Sequence, residues 1–487
     1  MTGRLIQVVG TSSGAGKTTM VLALCRHFNN RGLKVTPFKA VNMSLNSISL
    51  RDGSEISRAQ WLQALGARIY PKKEMNPILL KPQGDGSQVI LEGRPVGKMT
   101  IDEYYGWMKS KGRDIVLKSL NHLLKNYDLV VAEGAGSPAE INMEDRDLAN
   151  TFIARQGKFP VIIIGDIDRG GVFASLYGTY SLMPDRDLVK LFIINRMRGT
   201  FSLLNPGIEK LERLTGVRTA GVIPYIGNIS LPGEDSLDYP ILRSQKARVA
   251  VIRYLYMENY SDLDLLIMTG NITYVDESNA EVIDESSLII MPGSKIVGSD
   301  LDYIIGSGIA ARISSALARG ARVLGICGGY QMLGKTISDP SGVQIGSTRN
   351  GLGLLDIDVV YLEEKTTREV RYRVNHDIIP EGKTRNGYEI HYGIISRNGE
   401  KPLLLTELGD EGSVSRDGKV MGTNIHGILE NVEFLRYLIG PIDLKVSYEE
   451  LVDSNIERMT NIFIDNMDIR EIEKLAGMND QNRMIFP

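Results

Sequence analysis

Short β-branched and apolar runs alternate with helix-length stretches through the first half of the chain. The runs are Leu5 to Val9, Lys34 to Phe38, Leu129 to Ala132, Val161 to Ile164, Leu191 to Ile194 and Ala220 to Ile223. Runs apolar at nearly every position are buried on both faces, and strands separated by helical segments pair in parallel, so the pattern predicts a parallel sheet wound with helices. The rhythm is lost between Asn228 and Gln245, where Pro232, Gly233, Glu234, Asp235 and Pro240 cluster. This predicts a linker and a domain boundary near Lys246. Alternation restarts with Arg248 to Ile252, Ser287 to Met291 and Arg322 to Ile326, then turns strand-rich around Leu352 to Tyr361 and Tyr388 to Ile395. A second α/β domain with an antiparallel extension is expected. After Leu438, the apolar residues Leu451, Ile456, Met459, Ile462 and Phe463 share one helix face and are expected to pack back on the body. The predicted division is 1–235, 246–440 and 441–487.

A chain of 487 residues has room for two large domains or about three ordinary ones. The net charge of −3 leaves no basic footprint, so neither nucleic acid nor an anionic membrane is expected as a partner. Cys25 and Cys327 are the only cysteines, which gives no disulfide framework and fits a reducing, cytoplasmic setting. The segment before Gly10 has no long apolar core of a signal peptide, and runs such as Val161 to Ile164 are far too short to span a bilayer. The five histidines are scattered and give no transition-metal cluster, and nothing in the pattern fixes an oligomeric state.

Gly10-Thr11-Ser-Ser-Gly14-Ala-Gly16-Lys17-Thr18-Thr19 follows the first apolar run and opens a helical stretch, the setting a phosphate-binding loop requires. Its glycines let backbone N–H groups approach an anion, Lys17 supplies charge for the outer phosphates of ATP, and the Thr18 hydroxyl is placed to ligate Mg²⁺. Five residues rather than four separate Gly10 from Gly16, a variant in which the loop resembles dethiobiotin synthetase-like enzymes. Ligands of open α/β sheets gather where the strands end, and several candidates follow strands here. Glu133 suits Mg²⁺, which prefers hard oxygen ligands. Lys39 could neutralise a phosphoryl group or a substrate carboxylate. Asp166 and Arg169 follow the Val161 to Ile164 run with paired glycines and are candidates for substrate contacts. Asn195 offers an amide that could pair with adenine or cap a loop.

In the second half, Gly325-Ile-Cys327-Gly328-Gly-Tyr330 places a cysteine on a tight strand-to-helix turn, the thiol form of a nucleophile elbow. Such a turn aims backbone N–H groups at a developing oxyanion, and Gly328 is one candidate donor. Gly293, in Pro292-Gly293-Ser294 after another strand, is the second. Cysteine becomes a strong nucleophile only with a base or a helix N-terminus beside it. His426, in Gly422-Thr-Asn-Ile-His426-Gly427, is the expected base. This half resembles the triad-type glutamine amidotransferases, which usually carry a glutamate two residues after that histidine. Here the position is Ile428, so a dyad is expected, with backbone or another side chain, Glu430 among the options, orienting the imidazole.

Taken together, the chain is similar to the cobyric acid synthase family over nearly its full length. The segments that carry the likeness are Gly10 to Thr19, Asn42-Met-Ser-Leu-Asn46, Gly165 to Ala174, Gly325 to Gly334, Gly387-Tyr-Glu-Ile-His391 and Asn424-Ile-His426-Gly427. Departures from the expected pattern are Ile296-Val297 after Lys295 and the Arg196-Met197 pair. The resemblance implies an ATP- and glutamine-dependent amidation of the b, d, e and g carboxylates of a corrin polycarboxylate, adenosylcobyrinic acid a,c-diamide. It makes Glu55 a further Mg²⁺ candidate and Asp147 a candidate for organising substrate or metal, and it requires ammonia to travel an enclosed path between the domains. Glu389 and His391 could line the glutamine site or the interdomain face. Two alternatives stay open. A cobyrinic acid a,c-diamide synthase usually reads Ala-Glu-Cys-Gly-Gly at the nucleophile, and a P-loop nucleotide-switch ATPase carries Lys-Gly where this chain has Ser12-Ser13.

Overall fold

The computed structural model of the chain describes residues 3–84, 86–227, 229, 231, 249–269 and 272–478. Apart from Ile229 and Leu231, the segment read as a linker and the boundary near Lys246 lie outside the described residues. The chain divides into two compact units, each discontinuous in sequence. The first holds Met1–Ser44, Ile56–Glu234 and the chain from Leu451 onward, and the second holds Leu45–Glu55 and Asp235–Glu450.

The core of the first unit is a six-stranded sheet of β1 (Arg4–Gly10), β2 (Val35–Phe38), β3 (Leu129–Glu133), β4 (Val161–Asp166), β5 (Val189–Met197) and β6 (Arg218–Pro224). The strand order is β6-β5-β4-β1-β3-β2, and every pairing is parallel. The continuous apolar runs make this possible. Ile162, Ile163 and Ile164 are fully buried between helical layers, and each such side chain contributes roughly 1.5–3 kcal/mol relative to exposure. Register then brings strand ends together: Val8 pairs with Glu133 and Gly10 with Ile164, so the first loop, Glu133 and Asp166 share one edge of the sheet. Helix α1 (Lys17–Asn30) starts there from Gly16, whose φ of 103° is left-handed and open to glycine alone among common residues. A mixed sheet of Val41–Met43, Ile78–Gln83, Gly86–Leu91 and Arg94–Thr100 has no counterpart in the pattern read from the sequence. Helix α2 (Arg58–Gly66) also belongs to this unit.

The second unit repeats the α/β plan with β7 (Val249–Ile252), β8 (Ile272–Val275), β9 (Leu288–Met291), β10 (Arg322–Ile326), β11 (Ser413–Val414) and β12 (Val420–Thr423). The order is β8-β7-β9-β10-β12-β11, parallel except for the β11 edge. The strand-rich region forms a long antiparallel hairpin, Ile357–Val374 against Arg385–Arg397. The helical stretch after Leu438 includes Tyr448–Asp465, with Ile456, Met459 and Phe463 buried. From Leu451 it belongs to the first unit, against which it packs.

Candidate active sites

At the edge of the first unit the phosphate loop is held by its own lysine. Lys17 Nζ donates to the Ser12 and Gly136 carbonyls, both at 2.9 Å. A Cβ on Gly10 would lie 3.0 Å from that nitrogen and from the Ser12 carbonyl oxygen, so a side chain there would crowd the folded-back lysine. Gly14 (φ 72°) turns the loop, and α1 begins with no side-chain cap, so the positive end of the helix faces the loop where an anion would sit. Thr19 follows Thr18 in the first turn of that helix. The Thr11 N–H donates to Ile164 O at 3.0 Å and ties the loop to β4.

Glu133 is the centre of a buried cluster. Its Oε1 accepts from Thr18 Oγ1 and from Lys39 Nζ, each at 2.8 Å, and its Oε2 accepts from Gln63 Nε2 on α2 at 2.6 Å. Burial pushes the Glu133 carboxyl up, but the Lys39 ion pair, the Gln63 hydrogen bond and the Lys17 charge outweigh it and hold the group below its ordinary value. Lys39 is therefore no isolated surface lysine, and Gln63 is a member that sequence reasoning missed because it comes from a helix rather than a strand end. Two hard oxygens, Thr18 Oγ1 and Glu133 Oε1, 2.8 Å apart beside the loop, fit a Mg²⁺ that takes its other ligands from phosphates and water.

The other candidates are placed as follows. Asn195 Nδ2 donates to Ala15 O at 3.0 Å, and a Cβ on Gly16 would lie 2.1 Å from it, so this amide buttresses the loop. Glu55 is fully buried in the second unit, where it pairs with Lys365 at 2.7 Å and accepts from Ser47 Oγ at 2.7 Å, so it does not join the Glu133 cluster. Asp147 accepts from the N–H groups of Ala149 and Asn150 and from Thr151 Oγ1, which makes it a local turn and helix-start acid. Asp166 is committed to Arg196 at 2.8 Å, while Arg169 is exposed on the following turn.

In the second unit Cys327 lies on the turn between β10 and helix α3 (Gly328–Met332) with φ 51° and ψ −113°, a backbone conformation rare for any residue with a side chain. The surroundings hold it there. Cys327 N–H donates to Thr423 O at 2.8 Å, and a Cβ on Gly329 would sit 1.9 Å from Met291 O, so only glycine lets α3 approach β9 this closely. A Cβ on Gly328 would lie 2.6 Å from Ser294 N, which sets the two candidate oxyanion segments side by side, and Gly293 and Ser294 line the same cavity as Cys327. Cys25, by contrast, is fully buried on α1, and burial pushes its thiol well above the ordinary range.

His426 is buried, and its orientation is fixed from three directions. Nδ1 is 2.7 Å from Asp262 Oδ2, the Tyr388 ring stacks on the imidazole at 5.0 Å, and the backbones of Tyr388 and His426 bond reciprocally. The other Asp262 oxygen accepts from Gly427 N–H at 2.6 Å. Burial pushes the imidazole down, but the charge and hydrogen bond of Asp262, together with Cys327, carry it up to about 10. Asp262 thus fills the place left open at Ile428, and Glu430 does not. It lies 164 residues from His426. The one signal was its place in the polar stretch Glu258 to Asp262 after β7, at the edge where other candidates had been sought.

The cavity at Cys327 measures about 30 Å³ and is lined by Glu258, Lys295, Gln331, Lys365 and His391 among others. Gln331 is fixed by Tyr361 Oη at 2.6 Å and by Asn424 at 3.2 Å. Glu389 pairs with Arg368 and lies 3.5 Å from His391 Nε2. A thiol on a strained turn, a histidine held by an acid and adjacent backbone amides make up equipment for acyl transfer.

Residues 6–237 match the CobQ/CobB/MinD/ParA nucleotide binding domain family, and residues 248–434 match the CobB/CobQ-like glutamine amidotransferase domain family. The chain is 49% identical to a probable cobyric acid synthase of Picrophilus torridus, with 97% of this chain and 99% of that protein covered. It is 48% identical to a probable cobyric acid synthase of Thermoplasma acidophilum (98% and 100% covered) and 38% identical to the cobyric acid synthase of Sorangium cellulosum (98% and 100% covered). With an ATP-binding P-loop unit and a glutamine amidotransferase unit matched from end to end, the chain belongs to the cobyric acid synthase family of cobalamin biosynthesis, the glutamine-hydrolysing, ATP-dependent amide ligases.

Proposed function

We propose that the protein converts adenosylcobyrinic acid a,c-diamide to adenosylcobyric acid by amidating its b, d, e and g carboxylates, with ATP and glutamine as co-substrates. The observation that carries this reading is the similarity to cobyric acid synthases over 97–98% of the chain, with both reactive clusters inside the matched regions. In the amidotransferase unit, His426 holds the proton of Cys327 as an imidazolium–thiolate pair, the Sγ thiolate attacks the side-chain amide carbon of glutamine, and backbone N–H groups at Gly328 and near Gly293 receive the oxyanion. The tetrahedral adduct collapses to a thioester as His426 returns the proton to the leaving ammonia. Water then releases glutamate. Asp262 keeps the Nδ1 proton in place, so that Nε2 serves as the working nitrogen.

In the P-loop unit the Gly10 to Thr19 loop and Lys17 hold the ATP phosphates, and Thr18 and Glu133 would hold Mg²⁺. When bound, Mg²⁺ supplies charge neutralisation at the transferring phosphoryl group. A substrate carboxylate attacks the γ-phosphorus of ATP, the bond to the β-phosphate oxygen breaks and ADP leaves, with Lys39 offsetting the charge that gathers there. Ammonia attacks the resulting acyl phosphate and expels phosphate, which leaves the amide. The test is mass spectrometry of the corrin diamide incubated with protein, glutamine, ATP and Mg²⁺, beside Cys327→Ala supplied with glutamine or ammonia. Stepwise gain of four amides, lost in the variant with glutamine and restored by ammonia, is the expected result. An unchanged corrin alongside intact glutamine hydrolysis would overturn the substrate assignment.

A further inference from the structure

The first unit contains a cavity of about 240 Å³ that none of these steps uses. Its inner wall is apolar, with Leu80, Tyr104, Met108 and Leu148 each 8% exposed or less. At its rim the Arg146 guanidinium lies 4.4 Å over the Tyr105 ring, and the Tyr105 hydroxyl reaches Met143 Sδ at 3.9 Å. The cavity adjoins the phosphate loop. Ala135 and Ser137, two of its lining residues, flank Gly136, whose carbonyl accepts from Lys17 at 2.9 Å. Asn150, another lining residue, donates to Ala135 O at 2.8 Å.

The two sides of that loop are chemically unlike. In the order β6-β5-β4-β1-β3-β2, the β4 and β5 side ends in the ion pairs Asp166–Arg196 and Asp168–Arg198. The β3 and β2 side leads to the apolar cavity. A phosphorylatable carboxylate alone would not need an aromatic and thioether wall, since such a group gains nothing from leaving water for apolar surface. A flat, largely apolar ring bearing carboxylate arms needs both a dry wall and a nearby cationic cluster. The volume falls below the ~300–1,000 Å³ of pockets that enclose a whole ligand, so the occupant inserts an edge. Asp147 does not oppose it, because local N–H and hydroxyl donors absorb its carboxylate.

We infer that this cavity is the docking site for the edge of the acceptor macrocycle, with Tyr105, Met143 and Arg146 gripping the ring and one carboxylate arm extended toward the Lys39 ammonium. The inference rests on the proposed corrin substrate and adds the surface that recognises it. The experiment compares Tyr105→Ala and Met143→Trp in the full chain with wild type. The corrin diamide serves as probe in turnover, and, without ATP or glutamine, as a quencher of tryptophan emission. The expected result is a KM and a dissociation constant for the corrin raised about tenfold or more, with KM for ATP and glutamine hydrolysis nearly unchanged. Wild-type corrin affinity in both variants would overturn the inference while leaving the amidation reading intact. Equal loss of ATP affinity would also overturn it, as the mark of a collapsed loop. Failure of the wild type to bind or amidate the corrin would remove the substrate reading and this inference with it.

Discussion

Asp262 holds His426 through Nδ1 at 2.7 Å and the neighbouring Gly427 N–H at 2.6 Å, so one carboxylate fixes both the tautomer and the backbone of the expected base. Asp262→Asn should lower kcat for glutamine hydrolysis by roughly 10²–10⁴-fold while ammonia-driven amidation persists. Steady-state assays with each nitrogen source check this. The same contact has a pH signature. His426 is raised from 6.5 to about 10 in the folded chain, so its contribution to stability is complete below about pH 6.5 and is lost as pH rises through about 10. The stability advantage of wild type over Asp262→Asn, read by thermal unfolding, should narrow across that window, and an advantage constant from pH 6 to pH 10 would contradict it. In the other unit, Glu133→Gln keeps the size of the side chain but removes the charge that Lys39 and Thr18 surround. Amidation with ammonia should fall by roughly 10²-fold or more, with glutaminase activity retained.

At the scale of elements, the nucleophile turn depends on how closely α3 approaches β9. A methyl group at Gly329 would meet Met291 O at 1.9 Å and Pro292 O at 2.7 Å, two backbone atoms that cannot swing aside. Gly329→Ala should therefore destabilise the second unit by about 3 kcal/mol and abolish glutamine hydrolysis, because relief of the clash moves Cys327. Denaturant unfolding beside a glutaminase assay measures both, and a stable, active variant would refute the packing argument. Close approach also governs the strand beneath. Gly325 and Gly422 face each other across β10 and β12, and a Cβ on Gly422 would fall 1.9 Å from the Tyr330 ring. Glycines in these strands are there for α3 and its tyrosine, not for the sheet.

Across the whole molecule, each unit is assembled from distant stretches of chain. Arg26 on α1 is fully buried and ion-paired with Asp453 and Glu457, residues of the C-terminal helix that belong to the first unit. Removing both acids leaves a buried guanidinium without its charge partners, although its bonds to the Gly66 and Leu65 carbonyls remain. Both acids are well exposed, at 55% and 36%, so solvent screens the pairs. The double variant Asp453→Ala, Glu457→Ala should lose about 1 kcal/mol and weaken ATP binding, since α1 carries the phosphate loop at its other end. Unfolding curves with and without ATP test this. No helix among the described residues is long and apolar enough to cross a membrane.

The local features were legible in the sequence because their determinants are contiguous. The Gly10 to Thr19 loop needs glycines, a lysine and a threonine at fixed spacing, and the Cys327 turn needs Gly325, Gly328 and Gly329 close around one thiol. The continuous apolar runs likewise specify strands buried on both faces, and with them a parallel sheet. What lies between distant residues was decided only by packing. Asp262 reaches His426 across 164 positions, Gln63 reaches Glu133 across 70, and Glu55 was drawn to Lys365 across 310 instead of to the phosphate loop. Of the two uses open to the Asn195 amide, pairing with adenine or holding a loop, packing shows a bond to the Ala15 carbonyl. Burial accounts for these outcomes. A charge or amide excluded from water must find its partner wherever the fold brings one, and a linear pattern carries no record of which strand ends meet.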